Sequence, residues 1–415
     1  MDLPVGISTL QHTDRWVGAP LCFVLTVLRK MFGTAGPSGV RKVRRILFVK
    51  FAEQGSTVLA YPAIRRAIDL VGRENVYFVV FQDNRFILDV MDVIPEENVL
   101  TIATRSPVGL ALDALRAVRR ARKIGIDAVV DLEFLTRFSA ILTFTTGAAS
   151  RVGLHTFFGD GPYRGDLMTH RVLYNPHLHT SEMFDTMVEA LTRDPAVLPT
   201  FEFRPVANQP VPRFRPSPSE ICEVEGLLRR ESPGASSAPL ILLNPNASDL
   251  LPLRRWPAMR YAELARRLLE RYPELFVGFT GAPDEAVPNN RVADEVGLDR
   301  VLRLAGKTTL RQLLVLYMRS EILVTNDSGP AHFASLTPIH VVTLFGPETP
   351  SLFAARSPNV TALWAGIACS PCVNAYNNRQ SPCRNNLCMQ AITVDDVFEK
   401  VTSIYDSLKR QTPEK

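Results

Sequence analysis

Short apolar runs that end in polar clusters recur along the chain, and amphipathic stretches separate them. In the first half they are Arg45–Phe51, Val76–Phe81, Val99–Ile102 and Asp127–Leu132; in the second, Leu240–Asn246, Leu275–Thr280, Ile322–Val324 and Val341–Phe345. Their length and apolar continuity predict strands buried on both faces. Between them, Thr57–Val71, Gly109–Lys123 and Met259–Arg271 predict helices. A last one is predicted over Thr393–Arg410, with Val394, Val397, Val401, Ile404 and Leu408 in one stripe and Thr393 and Asp396 spaced to cap it. This alternation predicts an α/β chain with parallel, doubly wound sheets, in which ligands bind at the carboxyl ends of the strands. The pattern dissolves over residues 151–184. There His155, Tyr163, Arg164, His170, His177 and His179 stand among glycines and polar residues, a composition expected of a binding loop. Pro205, Pro210, Pro212, Pro216 and Pro218 mark a linker.

The expected organisation is an apolar and basic segment over 1–43, a Rossmann-like domain over 44–204 and a linker over 205–238. A second Rossmann-like domain over 239–392 and a C-terminal helix and tail over 393–415 complete it. The 415 residues suit two cores better than one. A net charge of +5, with the basic residues dispersed outside Arg41–Arg45, does not indicate nucleic acid. It suits an anionic membrane surface or a phosphorylated substrate. Trp16–Phe32 is apolar but shorter than the ~20 residues that span a bilayer. It is expected either to lie in a membrane interface or to pack on the domain. No signal peptide is legible, so a cell-interior location, with disulfides disfavoured, is expected.

Candidate chemistry concentrates where the strand at 322–324 meets Thr325-Asn326-Asp327-Ser328-Gly329-Pro330-Ala331-His332. Pro330 suits a first helical turn and Ser328 or Gly329 an N-cap. Free N–H groups, the helix dipole and the His332 imidazole together make an anion site. A lone Asp-Ser-Gly on an alternating α/β frame excludes an aspartic protease, which needs two such carboxylates. Ser248, Arg254, Lys307, Ser328 and His332 all fall in loops on one edge of one sheet, a phosphate-binding rim. Glu285 falls where such folds meet ribose hydroxyls. In the first half, the loop Ala52–Ser56 and Glu133 occupy the corresponding strand ends.

These residues together resemble the bacterial heptosyltransferase-type glycosyltransferases, over roughly residues 44–405. The most specific piece is Asp327-Ser328-Gly329 with His332, followed by Leu344-Phe345-Gly346. It is similar to the donor motif whose amides and histidine hold a nucleotide pyrophosphate in that family. The resemblance implies a GT-B architecture of two Rossmann-like domains facing a cleft. It also implies inverting, metal-independent transfer of a heptose-like sugar from a nucleotide-sugar, ADP-linked in known members, to a glycolipid or polysaccharide acceptor. Donor contacts would come from Ser248, Glu285, Lys307, Asp327, Ser328, Gly329 and His332. Arg254 would stand where the family has a leaving-group lysine. Acceptor contacts would come from Gly55, Ser56, Tyr163, Arg164 and His170. The implied setting is cytoplasmic, peripheral on the inner face of the membrane.

One departure matters. The family's Gly-Asp, with the aspartate as base, reads Gly55-Ser56 here. Serine cannot take a proton unaided at neutral pH, so Glu53, with Glu133 second, is the candidate base. Were neither to serve, the chain would be a silent sugar-nucleotide-binding protein; a GT-B nucleotide-sugar epimerase is the other alternative. Lastly, Cys369, Cys372, Cys383 and Cys388 are spaced for a structural zinc, against free thiols or a local disulfide.

Overall fold

The computed structural model describes residues 12–32, 39–155, 162–199, 212–248, 251–377 and 379–411. The linker positions 33–38 and 205–211 and the first residues of the chain lie outside these. The chain forms two compact units, Met1–Pro205 with Val373–Gln380, and Val206–Cys372 with Ser381–Lys415. Val373–Gln380, inside the stretch expected to belong to the second domain, thus packs with the first.

In the first unit six strands are parallel: β1 (Ile46–Val49), β2 (Val76–Phe81), β3 (Val99–Ile102), β4 (Ala128–Asp131), β5 (Ser150–His155) and β6 (His170–Leu173). Their order is β3-β2-β1-β4-β5-β6. Ile46 of β1 pairs with Val76 on one side and Ala128 on the other, so the strand order reverses between β1 and β4. Leu47, Val49, Val79, Leu100 and Val129 bury one face of the sheet against Ala117, Val118 and Ala121. Those last three lie on the helix Pro107–Ile124, whose N-terminus is capped by Ser106 Oγ accepting from Gly109 N.

The second unit repeats the plan with β7 (Leu240–Asn244), β8 (Phe276–Phe279), β9 (Val301–Arg303), β10 (Ile322–Asn326), β11 (His340–Phe345) and β12 (Val360–Trp364). Their order, β12-β11-β10-β7-β8-β9, again reverses at the centre, between β7 and β10. Trp256, Tyr261, Leu264 and Leu268 pack on Ile241, Leu243 and Val324. The Thr393–Asp396 cap is present, with Asp396 N donating to Thr393 Oγ1 and Thr393 N to Asp396 Oδ2.

Several expectations need correction. The segment 151–184 is not one irregular loop: it contains β5, β6 and the start of the helix Thr180–Ala190. The span 205–238 is not all linker, because Pro218–Glu231 is a helix closed by a Ser217–Glu220 capping box. The helix over 57–71 is two, Gln54–Leu59 and Tyr61–Val71. Pro62 has no N–H to donate back, which interrupts the ladder there.

The helix Ala19–Phe32 packs by a narrow stripe on the first unit. Cys22 contacts Ala140, Leu167 and Met168, Asp166 N donates to Thr26 Oγ1, and Arg29 pairs with Asp166 at 2.9 Å. The approach is close enough that a Cβ on Gly165 would sit 2.6 Å from the Cys22 carbonyl oxygen. Among the described residues no helix is long and apolar enough to cross a membrane.

Candidate functional site

Both reversal points gather polar side chains. In the second unit β10 ends in Asn326, which is fully buried and tied on four sides. Its Nδ2 donates to the carbonyls of Pro245 and Asn246, and its Oδ1 accepts from Trp256 N and Tyr261 OH. Asn326 therefore fixes the loop after β7 to the end of β10. Next come Asp327, buried, and Ser328, extended at the N-cap of the helix Gly329–Ala334 with Pro330 in its first turn. His332 is buried in that helix.

Arg254, in a 3-10 turn over Pro252–Arg254, reaches the same place. Its Nη1 lies 3.4 Å from Glu348 Oε2 and 4.0 Å from Asp327 Oδ2. Glu348, in the loop after β11, is 1% exposed. Arg254 Nε is buried and has no hydrogen-bond partner among the described residues. A buried unsatisfied donor is costly and calls for a ligand or water.

The remaining rim residues spread out. Ser248 is exposed in the loop after β7. Glu285, after β8, accepts from Ala282 N at 2.7 Å and so closes its own turn. Lys307 stands after the edge strand β9 and pairs with Glu231, two strands removed from the β7–β10 centre.

In the first unit Lys50, directly after β1, is fully buried. Its Nζ lies 3.3 Å from Glu53 Oε2 and 3.3 Å from Glu133 Oε2. Glu133 Oε1 accepts from Phe51 N at 2.6 Å, so one carboxylate ties the ends of β1 and β4. Glu53 has φ 64 and ψ 72, a left-handed conformation rare for a side-chain-bearing residue and often found at functional sites. Its carboxylate also pairs with Arg379, and Ser56 Oγ donates to its carbonyl at 2.9 Å. Gly55 is buried beside it. Burial raises the pKa of Glu133 despite Lys50, with Glu53 and Asp131 adding to the rise. Burial acts to lower that of Lys50, but Glu133 and Glu53 outweigh it and leave it raised. The carboxylates thus outnumber the one ammonium: they outweigh burial at Lys50 and add to burial at Glu133.

Of the expected acceptor residues, Tyr163 is half exposed, but Arg164 and His170 are interior. Arg164 pairs with Asp131, donates to Ser139 Oγ and reaches the carbonyls of Thr136 and Leu154. His170 bonds Thr169 Oγ1 through Nδ1, and burial lowers its pKa. His179 accepts from Ser181 N as a helix cap.

The zinc expectation finds no support among the described residues. The four cysteines are free, and among the described residues no group of three or more His, Cys, Asp or Glu could hold a metal ion. Cys388 is buried: with Met389 it abuts Gly346, where a Cβ would sit 2.3 Å from the Met389 sulfur.

Sequence reasoning missed Lys50, Arg379 and Glu348. A charged residue at the end of an apolar run was a usable signal for Lys50; nothing local marks the other two.

Two all-parallel sheets of one strand order, each with a polar site at its reversal, define the GT-B architecture of nucleotide-sugar glycosyltransferases. Residues 115–381 match the model of Glycosyltransferase family 9 (heptosyltransferase), and the chain belongs to that family. Lipopolysaccharide heptosyltransferase 2 of Escherichia coli K12 is 30% identical over 224 residues, 51% of this chain and 58% of that protein. Lipooligosaccharide heptosyltransferase 2 of Campylobacter jejuni is 27% identical over 168 residues, 39% of this chain and 50% of that protein. The chain thus spans about half the length of the curated relatives it matches. The solved E. coli ADP-heptose lps heptosyltransferase II superposes with a TM-score of 0.64 at 20% identity, over 89% of this chain and 100% of that one.

Proposed function

We propose that this chain is an inverting, metal-independent glycosyltransferase. It moves a heptose-like sugar from a nucleotide-sugar, ADP-linked by preference, to a glycolipid or polysaccharide acceptor of the cell envelope, at the cytoplasmic face of the membrane. The carrying observation is Arg254, whose buried Nε lacks an acceptor among the described residues at the β7–β10 reversal point. A departing diphosphate accumulates negative charge, and without a divalent ion it needs preorganised donors. Arg254, His332 and the amides after Ser328 supply them in this reading, with Ser248 and Glu285 on the nucleoside side. Solved relatives described as bound to ADP and to ADP-2-deoxy-2-fluoro heptose support the choice of donor.

The first unit binds the acceptor and supplies the base in this reading. An inverting displacement needs a proton acceptor within hydrogen-bond reach of the attacking hydroxyl, and Glu53 is the partly exposed carboxylate of its loop. Lys50 and Arg379 both pair with that carboxylate, so base action requires it to part from Arg379. A second reading, a silent sugar-nucleotide-binding protein, is favoured by those same two cations and by Ser56 standing where the family has aspartate.

A thermal-shift panel of ADP-, UDP-, GDP- and dTDP-sugars, followed by donor turnover with and without acceptor, tests the reading. Selective stabilisation by an ADP-sugar is expected, because ligand binding stabilises the folded state by mass action. Binding without turnover would select the silent protein; turnover without acceptor would select an epimerase.

A further inference from the structure

The helix Ala19–Phe32 carries more apolar surface than its packing uses. Its buried stripe is Cys22 and Thr26. Trp16 in the preceding turn, and Phe23, Val27, Leu28, Met31 and Phe32, are between 37% and 78% exposed. At 3.6 residues per turn the exposed apolar arc covers about half of the helix circumference. Single exposed apolar residues are ordinary, but a contiguous arc of this width marks an interaction surface.

We infer that this face lies in the plane of an anionic lipid bilayer and docks the first unit on it. Three observations select that occupant. Helical structure runs from His12 to Phe32, but its uncharged part, Trp16–Leu28 between Arg15 and Arg29, is 13 residues or about 20 Å long, short of the ~30 Å hydrocarbon core, so it can lie in the interface but not cross. Between His12 and Arg45 the chain has seven basic residues and one acidic one, Asp14. Arg15, Lys30, Arg41, Lys42 and Arg44 are exposed, whereas Asp14 is taken up by Arg137 and Arg29 by Asp166. Cations flanking an apolar face suit anionic headgroups. A second copy meeting this one through the same face would bring like charges together, which disfavours self-association. Trp16 and Phe32 stand near the two ends of the segment, as interfacial aromatic anchors do.

The orientation follows from the packing. Thr26, Gly165 and Arg29 lock the helix to the first unit, so a bilayer under its outer face holds that unit in one pose. The inference names the membrane-contacting surface of the function proposed above. Its test uses no sugar, so either can fail alone.

The test is sedimentation of the full chain with vesicles of phosphatidylethanolamine and phosphatidylglycerol in about a 3:1 ratio, against pure phosphatidylcholine. The chain is expected to partition onto the anionic vesicles and much less onto phosphatidylcholine. Phe23→Gln/Val27→Gln/Met31→Gln should weaken partition at least about 100-fold. Arg41→Gln/Lys42→Gln/Arg44→Gln should weaken it by about as much in low salt and little in high salt. All six positions are exposed, so both variants should melt with the parent. In a Trp364→Phe background, brominated lipid should quench Trp16. The inference is overturned if the parent does not bind anionic vesicles, or if either triple variant binds as the parent does. A dimer that the apolar variant abolishes, without vesicle binding, would assign the face to a second copy. Binding that appears only after deletion of residues 1–11 would assign it to that segment.

Discussion

Lys50 and Glu133 stand 3.3 Å apart at the junction of β1 and β4, the lysine fully buried and the glutamate nearly so. The pair closes the two central strand ends at the point where the order of the sheet reverses. Removing one member of a buried pair leaves an uncompensated charge, at a cost of ~3–5 kcal/mol. Lys50→Met is therefore expected to destabilise the first unit by that amount in urea unfolding. Lys50→Met/Glu133→Gln should recover most of it; equal stability of the single and double variants would refute the pairing.

Glu53→Gln keeps the shape of the loop and removes the proton acceptor. The expected outcome is a fall in kcat of at least about 100-fold, with nucleotide-sugar affinity unchanged in titration calorimetry. Unchanged turnover would remove Glu53 from the mechanism and leave Glu133 as the next residue to substitute.

Arg254→Ala should lower kcat by about 100- to 1,000-fold, the range seen when one donor to a developing anion is lost. Arg254→Lys should restore part of it, because an ammonium keeps the charge that the family's lysine would supply but lacks the fork that presents Nε beside Nη1. Asp327→Ala and His332→Ala should mainly reduce the thermal shift given by ADP. Retention of the full shift in both would place the nucleotide elsewhere.

Glu220 gives a pH signature. Arg311, with the Ser217 amide and hydroxyl, holds its carboxyl down at about 2 against an ordinary 4.5. A depressed folded-state pKa stabilises the fold fully above the unfolded value and loses that contribution as pH falls through the folded one. Stability should therefore decline from about pH 4.5 towards pH 2. Glu220→Gln should flatten that part of the profile in acid-dependent urea unfolding.

The strands with unbroken apolar runs, β1, β2, β4, β7, β10 and β11, were legible because burial on both faces leaves one possible composition. β5 and β6 were not. They mix Arg151, His155, His170 and Arg171 with few apolar residues, so their polar members resembled a loop. Of the histidines in that segment, His170 is buried against Thr169 and His179 caps a helix, uses that sequence does not distinguish from ligand binding. The Asp327–His332 turn was legible from Pro330 and the preceding strand. Its partner Glu348 was not, because its place depends on β11 lying beside β10. Arg379 meets Glu53 across 326 positions of chain, a distance no local pattern can bridge.

That return of the chain bears on how the protein is made. Val373–Gln380 belongs to the first unit but follows β12 in the sequence. On the ribosome, then, every strand of the second sheet has been synthesised before Arg379 and Tyr376 are available to Glu53 and Tyr174. A gene split after Pro205 would deliver an amino-terminal half whose Glu53 lacks its arginine, and that arginine would have to be supplied in trans.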